Sequence, residues 1–363
     1  MEILVYGCAL VRIPIQTHTR LSRITMKLWT KNYWWTNFVR LNLLWLLSLY
    51  GCSPNDAPVA SYKIASHSLL SAAYSRDATQ YFVGTINHGG SLWKAPGREI
   101  SRSERLFDWN HTSDEFSAIR VAVFSADGRF VATTEGSGMV VWSTETGQSD
   151  RYWQSPSRII DLDISSGGEY ALLALDDQSA VLFNLMRGGI VGKLQHQETI
   201  SGVAINDEAT LAITGANDGV AKIWSLEDGE PQFELNHKTP VNYVALSPSG
   251  AFAVTAAYQG PVSVWDTKTG NQIVRLYRVN PGITSLRFSE DENLLLIGTA
   301  RESIHLMARS SGEMLKHWKI PNDGPWHKAA VIAVSFGAGA EAGQNDYHAI
   351  SSSGFAYTLA GDL

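Results

Sequence analysis

The stretch Val241-Asn-Tyr-Val-Ala-Leu246, Ser247-Pro-Ser-Gly250, Ala251-Phe-Ala-Val-Thr-Ala256, Pro261-Val-Ser-Val-Trp265, Asp266-Thr-Lys-Thr-Gly270, Asn271-Gln-Ile-Val-Arg-Leu276 decides how this chain folds. Short runs rich in β-branched and aromatic residues alternate with Ser, Pro, Asp and Gly turns, the pattern of four antiparallel strands joined by tight hairpins. The same turns return as Ser125-Ala-Asp-Gly128, Ser165-Ser-Gly-Gly168, Thr146-Gly147, Asp228-Gly229 and Ser311-Gly312. The large residue ending each third strand falls at Trp93, Trp142, Phe183, Trp224, Trp265, Met307 and Tyr357, at spacings of 49, 41, 41, 41, 42 and 50.

A period near 41 carried by short strands predicts an all-β, seven-bladed β-propeller of four-stranded antiparallel blades over residues 59–363. The last unit offers only three strands, at 330–336, 347–352 and 355–359. An unfinished sheet leaves backbone groups unpaired along its edge. The missing outer strand is available at 59–65, so the ring is expected to close on its own N-terminal strand.

The repeat resembles the WD-repeat family. The fullest unit carries His196, Thr214, Asp218 and Trp224 at the family's structural offsets, and the next has His237, Thr255 and Trp265 with Gln259 in place of Asp. Trp265-Asp266 is the literal WD pair. The resemblance implies that these residues form a buried hydrogen-bond network rather than a catalytic triad. It also implies a contact face that includes the residues before each structural Asp position: Asp176, Asn217 and Tyr258. Loops that depart from the period add Arg102, Arg105, Trp109 and Trp326 as binding candidates, because Arg and Trp are enriched where interfaces concentrate their energy. His111 falls among them.

Composition narrows the function. At 44% hydrophobic and 18% charged, the chain can bury a core. From Cys52 onward 23 basic residues face 34 acidic ones, a balance that repels phosphate backbones and disfavours nucleic acid. The two cysteines, Cys8 and Cys52, form no metal or redox motif. No nucleophile elbow or phosphate loop occurs, so neither an enzymatic role, a metal nor a cofactor is expected. Asp161 and Asp163 alternate on one strand and read as a solvated edge. A catalytic propeller would need convergent acids in its channel, and the alternating Ala, Val and Leu of the strands offer none.

The N-terminal region reads as an export leader. Lys27, Lys31 and Arg40 precede the apolar run Leu41-Asn-Leu-Leu-Trp-Leu-Leu-Ser-Leu-Tyr-Gly51, too short to span a bilayer and of the length of a cleaved signal. Leu49-Tyr50-Gly51-Cys52 resembles the lipobox of bacterial lipoproteins, with Tyr50 where a small residue is usual. That resemblance implies lipidation of Cys52, a signal peptide over 26–51 and a lipidated tether over 52–58. Residues 1–25 are expected to be an upstream extension ahead of a start at Met26. The whole then reads as a membrane-tethered scaffold for protein partners in the bacterial cell envelope, facing the periplasm from the outer membrane in a Gram-negative cell. Alternatives are an envelope or outer-membrane assembly factor and a propeller enzyme of quinoprotein or glycosidase type.

Overall fold

The structure, a computed structural model, describes residues 56–96, 103–112, 117–277, 279, 282–321, 329–337 and 345–361. The leader, Cys52, Arg102 and Trp326 lie outside the described residues. Among the described residues there is no helix, and 28 strands form seven four-stranded antiparallel sheets. Blades 1 to 6 occupy residues 69–109, 121–154, 159–195, 200–236, 241–276 and 283–319, each laid down in chain order from the inner to the outer strand. Blade 7 contributes Val331–Phe336, Asn345–Ser351 and Phe355–Gly361. Its outer strand is Ala60–Lys63, with Ala60 opposite Thr358 and Lys63 opposite Phe355. The ring therefore closes as the sequence predicts.

Burial explains why the blades need one another. The apolar side chains gather into seven clusters, and each lies in a seam between two neighbouring blades. Trp224, for example, packs with Leu172, Leu182 and Leu194 of blade 3. A single blade would leave both faces wet, so stability comes from stacking around the ring.

Two expectations are corrected. By register, the seventh counterpart of Met307 is Leu359, which pairs with Tyr347 as Met307 pairs with Leu295. Tyr357 lies two residues earlier on the same face, because a shift of two preserves the alternation of a strand. The stretch around residues 101–112 also contains a regular strand, Glu104–Trp109, which is the outer strand of blade 1. Its Leu106 and Phe107 pack on the seam with blade 2.

In six inner strands the register slips after the first residue, as between Ile159 and Asp161 or Val241 and Tyr243. These bulges set equivalent residues at equivalent depths along the channel. That alignment makes positions in different blades directly comparable.

Candidate functional site

Asp176, Asn217 and Tyr258 are exposed and occupy the same place in blades 3, 4 and 5, at the turn between second and third strands. Each backbone N–H is held by a carbonyl of the preceding inter-blade connection: Arg158 at 3.0 Å, Thr199 at 3.0 Å and Pro240 at 2.7 Å. One backbone arrangement thus presents a carboxylate, an amide and a phenol in an arc on one face. Asp176 also pairs with Arg158 at 3.7 Å, and Tyr258 is 54% exposed.

Beneath this face the blade 4 network is complete. His196 Nδ1 lies 3.2 Å from Asp218, its Nε2 lies 2.7 Å from Thr214 Oγ1, and Trp224 Nε1 donates to the same hydroxyl at 2.8 Å. A carboxylate only accepts, so Nδ1 carries the proton; Thr214 then donates to Nε2 and accepts from the indole. Burial holds the His196 pKa below its usual value, against the opposing pull of Asp218. Thr214 is fully buried, so no substrate reaches its hydroxyl.

Blade 5 keeps only part of the set. Trp265 Nε1 donates to Thr255 at 2.8 Å, but buried His237 Nε2 has no partner among the described residues, which corrects its place in the expected network. Gln259 adopts a left-handed backbone, φ 53°, and its amide lies 3.5 Å from the Tyr258 hydroxyl instead. The Thr255 hydroxyl therefore serves Trp265 and not His237.

Blade 2 holds a network that the sequence reading missed. His111 Nε2 lies 2.8 Å from Thr133 Oγ1, which accepts Trp142 Nε1 at 2.8 Å. His111 precedes its threonine by 22 residues, against 18 in blade 4, and that longer connection hid the match. Trp109, expected in a binding loop, is instead 2% exposed. It stacks on Trp142 at 5.1 Å and donates to the Gly147 carbonyl at 2.8 Å. Gly147 has φ 72°, and a β-carbon there would meet the Phe107 ring at 2.3 Å, so this contact requires glycine. Arg105 is exposed, pairs with Asp108 at 3.1 Å and lies over the Trp93 ring. It and Trp109 form no joint surface.

The channel departs most from expectation. Asp161 and Asp163 are not a solvated edge: they stand on the inner strand Ile159–Ile164 and line a central cavity of about 780 Å³. Each carboxylate accepts a backbone N–H from the inner strand of blade 4, Val203 and Ile205, both at 3.0 Å. Burial pushes the Asp161 pKa up to about 6 and that of Asp163 up to about 7. Tyr243 and Arg287 line the same cavity. Burial raises the Tyr243 pKa. Arg287 donates to the carbonyls of Ser75 at 2.8 Å and Tyr74 at 3.0 Å and to Ser335 Oγ at 2.8 Å. Burial lowers its pKa to about 10. The inner strands therefore do bring acids together with other polar groups. The sequence concealed this because the four lie on the inner strands of three different blades, far apart in the chain.

One mouth of the channel is built from the turns after the inner strands. Backbone bonds run from Asp127 to Ser166, Ser166 to Asp207 and Asp207 to Pro248. Arg76 of blade 1 crosses to Asp207 of blade 4 with two parallel bonds of 2.5 and 2.6 Å.

The WD domain, G-beta repeat family model matches residues 188–225 and 229–266, and no curated protein matches the chain. Each matched segment begins at the outer strand of one blade and ends at the third strand of the next. The family's repeat unit thus straddles a seam. With the ring of seven blades, these two repeats identify the chain as a WD-repeat β-propeller.

Proposed function

We propose that this protein is a non-catalytic, membrane-tethered interaction scaffold of the bacterial cell envelope, anchored by lipid on Cys52 and binding a protein partner on the face that carries Asp176, Asn217 and Tyr258. The observation that carries the reading is the arc itself, three different exposed side chains on one repeated, hydrogen-bonded turn. A rigid face built from several blades suits recognition of a folded surface. The buried state of the one complete hydroxyl–imidazole–carboxylate set also favours binding over catalysis.

Crosslinking in cells followed by recovery from membranes tests the reading. The native chain should retain one protein partner, and Asp176→Ala/Asn217→Ala/Tyr258→Ala should lose it at an unchanged melting temperature. Mass spectrometry of the membrane-extracted protein should find an N-terminus at Cys52 bearing lipid. Retention of the partner by the triple variant refutes the face, and an intact 26–51 segment refutes the anchor.

A further inference from the structure

Inside the channel, charge is arranged in a way that the scaffold role does not use. Asp163 and Arg287 stand at the same depth in blades 3 and 6, as far apart as seven blades allow. The other five inner strands carry Ala73, Val123, Ala204, Ala245 and Ser335 at that level. No ion pair joins Arg287 to either aspartate among the described residues. Arg287 and the two aspartates are each partly withdrawn from water, where charges are ordinarily paired because an uncompensated one is costly.

The unused valences are directional. Arg287 spends both Nη1 protons and one Nη2 proton on Ser75, Ser335 and Tyr74, which leaves Nε–H and the second Nη2–H side by side. That edge is the two-pronged donor that fits a carboxylate. Asp161 uses one oxygen on Val203 and keeps the other. The Tyr243 hydroxyl lines the same cavity and has a proton to donate.

We propose that the channel behind the Arg76–Asp207 bridge binds a small zwitterion of the amino-acid or short-peptide kind, its carboxylate on Arg287 and Tyr243 and its ammonium on Asp161 and Asp163. The cavity, about 780 Å³, is of the size that admits such molecules. The Arg76–Asp207 bridge is partly exposed and stands in the cavity lining at its mouth, so a ligand enters past it.

Isothermal titration of the purified full chain with glycine, γ-aminobutyrate and diglycine tests this, with acetate and ethylammonium as single-charge controls. At least one zwitterion should bind with a Kd of about 1 mM or tighter, and the controls roughly tenfold more weakly. Preference for diglycine assigns a peptide, and preference for either of the others a free amino acid. Asp161→Asn keeps the acceptor for Val203 and should weaken binding about tenfold. Arg287→Met should abolish it without lowering the melting temperature, since it also removes a partly buried cation that no ion pair neutralises. Absence of binding by all three zwitterions at roughly 10 mM, equal binding of the controls, or affinity unchanged in Asp161→Asn overturns the proposal. If Arg287→Met melts several degrees lower, Arg287 serves as a strut between blades and the carboxylate half of the proposal fails.

Discussion

At the scale of single residues, one hydroxyl decides how much of the WD pattern a blade can use. Thr214 ties an imidazole to an indole, and Asp218 holds the other imidazole nitrogen. Where Gln259 replaces the acid, the threonine–tryptophan bond survives and the histidine bond does not. Asp218→Ala should therefore loosen His196 and cost on the order of 1–3 kcal/mol, with Thr214→Ala costing less. Because the two share one chain of bonds, their losses should fall short of additivity in the double variant. Thermal denaturation of all three proteins measures this, and unchanged melting throughout would mean that the network carries no stability. The spacing of 18 made the blade 4 set legible in sequence. The blade 2 set, at 22, was not, because a repeat template cannot distinguish an elongated connection from a missing histidine.

At the scale of strands and blades, the sequence was most legible where burial enforces alternation. The fifth unit's turns and strands fall within one residue of their expected places, since each third strand must hand its large residue to the preceding seam. Legibility fails where burial has a second source. Glu104–Trp109 reads as a polar loop with stray aromatics, yet Phe107 and Trp109 find a cover in Gly147 and Trp142 of the neighbouring blade, which no local pattern announces. The closing strand is the opposite case, short and mostly exposed, with little burial of its own. Its contribution is to satisfy the edge of Phe355–Gly361, where Val59 and Ile64 extend the pairing with bonds to Thr358 and Gly354. A chain beginning at Leu69 exposes that edge along its length. It should melt several degrees below a chain beginning at Ser53 and aggregate more readily, and equal melting temperatures would show that blade 7 is stable with three strands.

At the scale of the whole molecule, the ring encloses a channel that no single blade contains, and two aspartates stand on its inner strands. The ordinary carboxylate value of 3.8 rises to about 6 at Asp161 and about 7 at Asp163, with burial the largest cause in each. The folded state therefore holds these protons more tightly than the unfolded chain, so each ionised carboxylate costs stability above its folded pKa. That cost is relieved as pH falls from about 7 toward 4. The histidines run the other way: burial lowers His305 to about 4 and lowers His111, His196, His237, His317 and His348 as well. Their neutral forms support the fold above the unfolded value near 6.5, and that support is lost as pH falls. The two sets oppose each other across one window, and a comparison of variants separates them. Asp161→Asn removes one carboxylate, preserves an acceptor for Val203 and lessens the repulsion felt by Asp163, while leaving every histidine in place. Asp163 is the poorer choice, because its two oxygens accept two backbone N–H groups, from Ile164 and Ile205. Melting curves at pH 8 should place Asp161→Asn a few degrees above the native chain, on a scale of about 2–4 °C per kcal/mol for a domain of this size. The difference should shrink as pH drops through 6 and vanish near 4, where the native carboxylate is itself neutral. A difference that stays constant from pH 8 to 4 would mean that Asp161 ionises like a surface carboxylate and that water fills the channel.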